Sequence, residues 1–97
     1  MPSFTTRVEL HGAQPSDYET LHERMGSHGF YRAIAGLGAD GKPHTYALPT
    51  AEYDFIGDGT AATVRDLAKR VADGVRPDAW VFVTKGEERA WITTVLN

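Results

Sequence analysis

Cysteine is absent from all 97 residues, which excludes disulfides, thiol nucleophiles and thiolate metal sites and suits a reducing compartment. Long apolar runs are absent too. The N-terminal MPSFTTRVEL alternates where a signal peptide or a membrane span would need an unbroken apolar stretch, so a cytoplasmic protein with no membrane partner is expected. Nor is there an excess of basic charge. Ten Lys and Arg stand against 13 Asp and Glu for a net charge of -3, which argues against nucleic-acid binding through a broad positive field. Any phosphate affinity must then come from a few cations such as Arg7, Arg24, Arg32, Arg65, Lys69 and Arg70, and should weaken with salt. No internal repeat or low-complexity tract appears. With 41% apolar and 24% charged residues, the chain reads as one globular domain over residues 1–97.

Phe4, Thr6, Val8 and Leu10 alternate with Thr5, Arg7, Glu9 and His11, the period of a strand with one buried face. Ser16-Asp17-Tyr18-Glu19 reads as a capping box opening a helix, whose stripe of Tyr18, Leu21 and Met25 runs to His28 before Gly29. Strands follow over residues 30–35 and 44–48, joined through Asp40-Gly41 in a hairpin, and Pro49 closes the second of them. Tyr53 and Phe55 either continue extended structure or pack under a loop. Thr60 caps a second helix with Ala61, Val64, Leu67, Ala68 and Val71 on its apolar side, ending by Gly74. A strand over 79–84, a turn at Lys85-Gly86-Glu87-Glu88 and a last strand over 89–96 complete the chain.

This order predicts an α+β fold: a ferredoxin-like βαββαβ sandwich with an additional C-terminal strand, both helices on one face of an antiparallel sheet. In the terminal strands Trp80 and Phe82 point opposite to Val81 and Val83, and Trp91, Ile92, Val95 and Leu96 repeat that two-sidedness. One helical layer cannot cover both faces. A homodimer using Trp80, Phe82, Trp91 and Val95 at its interface is therefore expected, the alternative being a terminus folded over the open face.

The segments Phe4-Thr5-Thr6-Arg7-Val8-Glu9-Leu10-His11, Asp17-Tyr18-Glu19-Thr20-Leu21-His22, Gly29-Phe30 and Tyr46-Ala47-Leu48-Pro49-Thr50-Ala51-Glu52-Tyr53, with Val83-Thr84 and Trp91, resemble small bacterial proteins grouped with the GhoS-type antitoxins. The resemblance implies a ferredoxin-like fold akin to small CRISPR-associated nucleases. It also implies the antitoxin role of a type V toxin–antitoxin pair, an endoribonuclease acting on the toxin's messenger RNA. The basic first-helix residue implicated in that activity falls on His22, a histidine where arginine is found. The magnesium-holding acid that ends the first strand in the related nucleases is replaced by Leu10-His11-Gly12.

Metal-independent RNA cleavage needs a base for the 2'-hydroxyl, an acid for the leaving oxygen and cations for the phosphorane. Histidine suits the first two roles and arginine the third. His22 and His11 are the candidate catalytic groups and Arg7, Arg24 and Arg32 the candidate RNA-binding ones, with His28 and His44 as further histidines. Each also has an ordinary reading: a helix-end contact for His28, a solvated charged row for Arg7, Glu9 and His11. Tyr46, Tyr53, Trp80 and Trp91 suit core packing better than base stacking. Glu52, Asp54 and Asp58 read as a loose acidic loop, and no histidine or carboxylate spacing builds a metal site. No cofactor is implied. Two functions remain in view: the antitoxin endoribonuclease, and a non-catalytic homodimeric interaction module.

Overall fold

The first alternating stretch becomes β1 (Ser3–Glu9), followed by α1 (Pro15–Ser27), β2 (Phe30–Tyr31), β3 (Ala33–Leu37), β4 (Pro43–Ala47), β5 (Glu52–Ile56), α2 (Ala61–Asp73) and β6 (Trp80–Gly86). The structure, a computed structural model, describes residues 2–96. Four strands form one sheet in the order β2-β5-β1-β6, with every neighbouring pair antiparallel, and β3 and β4 form a separate two-stranded sheet.

Phe4, Thr6 and Val8 of β1, with Leu10 just beyond it, are buried, and alternation turns Thr5, Arg7 and Glu9 to the opposite face. Both helices cover the first face. Leu21 and Met25 of α1 and Val64, Ala68, Val71 and Ala72 of α2 join Phe4, Val8, Phe30 and Tyr53 in one core. Each helix has a local stop and start. Thr60 caps α2, accepting from Thr63 N at 3.2 Å while its own N–H donates to Thr63 Oγ1 at 2.9 Å. The cap of α1 lies two residues earlier than Ser16: Gln14 N donates to Asp17 Oδ2 at 2.9 Å, and Pro15 supplies a first-turn residue that needs no donor. Thr6 Oγ1 is buried in this layer without a partner.

The hairpin after α1 departs from expectation. The turn forms where Asp40-Gly41 stands, with Gly41 at φ 75°, and β3 pairs β4 from Ala33↔Ala47 to Leu37↔Pro43. The core sheet, however, takes β5 as its third strand, through Phe30↔Phe55 and Tyr31↔Asp54. The outer pairing is interrupted by Arg32 on one strand and by residues 48–51 on the other, so an unequal insertion separates the two ladders. Within that insertion Pro49 has no N–H to donate and Ala51 adopts φ 62°, while Leu48 N donates to Arg32 O at 2.9 Å across the break. Glu52 and Asp54 therefore belong to a strand rather than to an acidic loop.

The last segment also departs from expectation. Residues 89–96 do not extend the core sheet beside β6. They return across the open face to the outer hairpin, where Ala47 N donates to Thr94 O at 2.9 Å, Leu96 N donates to Thr45 O at 2.8 Å, and Tyr46 bridges Val95. Trp91 lies against this small sheet, 5.8 Å from the Tyr46 ring, over Gly36, where a side chain would collide with it.

Candidate functional site

The residues singled out from the sequence fall into three places. His22, on α1, faces the core sheet, where its Nδ1 lies 2.6 Å from the Tyr53 hydroxyl. Tyr53 is fully buried on β5, and the neighbouring Tyr18 hydroxyl accepts from Leu10 N at 3.1 Å. Burial pushes the Tyr53 phenol well above its usual range, so its proton stays in place. Burial also lowers the His22 pKa from 6.5, assisted by the Arg32 charge and opposed by Glu19. The ring is therefore neutral at pH 7. The buried hydroxyl needs an acceptor, and His22 Nδ1 is the one within reach, so Tyr53 donates and the imidazole carries its proton on Nε2. In that tautomer the lone pair a general base needs is already engaged.

His11 is on the other side. Its Nε2 lies 3.2 Å from Glu9 Oε2, and its ring meets Trp80 edge-on at 4.7 Å, both partners belonging to the open face. The sheet separates the two histidines, and they do not form one acid–base site. The cations are similarly dispersed. Arg7 is on the open face between Glu52 of β5 and Phe82 of β6, whereas Arg24 donates from Nη1 to Gly74 O at 3.0 Å and ties α1 to the end of α2. Of the expected RNA contacts, Arg32 alone adds its field to the His22–Tyr53 pair.

The open face carries an arrangement that the sequence did not reveal. Asp54 is 8% exposed and is held by Arg89, whose Nη1 donates to Asp54 Oδ1 at 2.9 Å and to Thr5 Oγ1 at 3.0 Å; Nη2 bonds Ser3 Oγ. The returning segment thus covers one end of the face. At the other end Trp80 and Phe82 remain 68% and 71% exposed, beside Arg7 and Glu9, and these four line a shallow groove with Val81. Of the four residues expected at an interface, Trp80 and Phe82 share this surface, while Trp91 and Val95, in the returning segment, lie against the outer hairpin. The alternation EYDFI sets Asp54 on the side away from Tyr53 and Phe55, and nothing local signals its burial, because its partner lies 35 residues away.

Among the described residues no three His, Asp or Glu side chains come together as metal ligands, and no helix is long and apolar enough to cross a membrane. Comparison with protein-family models, with curated proteins and with solved structures returned no match.

Proposed function

We propose that this chain is a non-catalytic homodimeric interaction module of ferredoxin-like build, working in the cytoplasm through the surface around Trp80 and Phe82. Support for the fold assignment comes from the antiparallel order β2-β5-β1-β6 under two helices on one side, with β3 and β4 as an excursion from the hairpin tip. The observation that carries the function is the pair of large aromatics left exposed on a sheet face that neither helix covers. Apolar surface of that kind favours burial against a partner. The charges decide the class of partner. Arg7 and Arg89 are outnumbered on the face by Glu9, Glu52 and Asp54, which disfavours a polyanion and favours protein.

Light scattering at micromolar concentration tests the reading. A dimeric mass is expected, falling to the monomer in Phe82→Glu without loss of helical signal. A monomeric wild type refutes it.

The antitoxin endoribonuclease implied by resemblance is a second reading, supported by the Arg32 charge beside His22; it requires the Tyr53 hydroxyl to release His22 Nδ1 before the ring can take a proton. Labelled RNA incubated with the purified protein, with and without magnesium, tests it. Cleavage lost in His22→Ala supports a nuclease, and intact RNA supports the module.

A further inference from the structure

β6 ends the core sheet, and its outer edge meets no other strand among the described residues. Such an edge is ordinarily shielded by charge, proline or a covering segment, because its unpaired N–H and C=O groups invite another strand. This one begins Trp80-Val81-Phe82-Val83 and carries no charge before Lys85.

The start of the strand shows which groups are available. The Ala79 carbonyl accepts from Lys69 Nζ at 2.7 Å, and Ala79 N donates to Asp73 Oδ1 at 3.1 Å, so neither is directed to β1. In the shared peptide plane the Trp80 N–H then points back to β1, and strand alternation leaves the N–H and C=O of Val81 and Val83 facing outward. Grooves flank this stretch on both sides. Trp80 and Val81 line one with Arg7, Glu9 and Phe82, and another with Arg65, Asp66 and Lys69 of α2.

We infer that two copies of the chain join through this edge, antiparallel about a twofold axis at Val81, so that two four-stranded sheets become one continuous sheet of eight. The inference rests on the homodimer reading and specifies its geometry. An isologous contact must complement itself, and the charges beside the edge are paired by sign, Arg7 with Glu9 in one groove and Arg65 with Asp66 in the other, where Lys69 is already bonded to Asp73 at 2.9 Å. The side chains select the register. An axis at Val81 sets Trp80 opposite Phe82 of the copy twice over, an aromatic cross-strand pair, and joins the edges through the reciprocal Val81 N–H and C=O, since Ala79, opposite Val83, keeps its bonds to Asp73 and Lys69. An axis at Val83 would instead set Lys85 against Val81 and Trp80 against Gly86, burying a cation and wasting the aromatic.

The absence of native cysteine makes the test direct. Val81→Cys should cross-link to its own copy under mild oxidation or with a short bismaleimide. Thr84→Cys, which this axis holds roughly 20 Å from its own copy at ~3.4 Å per residue, should not. A wild-type measurement covers the case of a variant that fails to fold: amide exchange at Val81 should slow at least tenfold from dilute to concentrated protein, while Trp80, already paired to β1, should not change. A dimeric mass with no cross-link at Val81 and unchanged Val81 exchange overturns edge pairing and leaves the homodimer standing. A monomeric mass overturns both.

Discussion

Replacing Arg89 by methionine keeps most of the side-chain bulk and removes the cation that holds Asp54. The carboxylate is 8% exposed and its partner 22% exposed, so the substitution strands a charge where water has little access. Breaking such a pair from one side costs about 3–5 kcal/mol, and the lower figure suits this site because Arg89 is itself partly solvated. A domain of this size has roughly 5–10 kcal/mol in total. At roughly 4–8 °C per kcal/mol, a loss of about 3 kcal/mol lowers the melting temperature by about 12–24 °C. Thermal unfolding followed by circular dichroism at pH 7 reads this directly. Arg89→Met with Asp54→Asn should recover more than half of the loss, since no charge is then left unpaired. A fall of under about 4 °C in the single variant, equivalent to ~1 kcal/mol or less, would refute the claim that this contact anchors the returning segment.

Other outcomes follow from the core and the hairpin. Tyr53→Phe should cost about 1 kcal/mol in urea unfolding, the usual net value of a hydrogen bond, and nitrogen NMR of the wild type should show the His22 proton on Nε2. Because His22 binds its proton more weakly folded than unfolded, its share of stability is fully present above pH 6.5 and is lost as pH falls through the depressed folded value; His22→Gln should flatten that part of a urea-midpoint profile. Gly36→Ala sets a carbon 2.6 Å from the Trp91 ring and should expel it, seen as a red shift of tryptophan emission. Thr6→Val removes a buried hydroxyl without a partner and should leave the melting temperature unchanged or raise it by a few degrees.

Legibility in the sequence followed the range of the interactions. β1, both helices and β6 were readable because their buried residues recur at fixed spacing, as Phe4, Thr6 and Val8 do at two and Val64, Ala68 and Val71 at helical intervals. The α1 cap was misplaced because Ser16 and Glu19 make as good a local box as Gln14 and Asp17; a long-range contact favours the latter, since Arg76 Nε donates to Asp17 Oδ2 at 2.9 Å. The strand at residues 52–56 was obscured by its aspartate, which is acceptable inside a sheet only with a remote cation. The two histidines show no cluster in the sequence either: alternation sets His11 on the face of Arg7 and Glu9, while His22 lies on a helix. The exposed aromatics Trp80 and Phe82 were legible, because alternation alone assigns them to the uncovered side.

Splitting one hairpin into two ladders makes its outer half a detachable cassette. The inner pairs Phe30↔Phe55 and Tyr31↔Asp54 are held by the core, so the loop beyond Arg32 is free to lengthen, shorten or be exchanged without shifting their register. The strands it carries also serve as the track for residues 94–96, so a graft that keeps Thr45 and Ala47 in extended backbone preserves that docking.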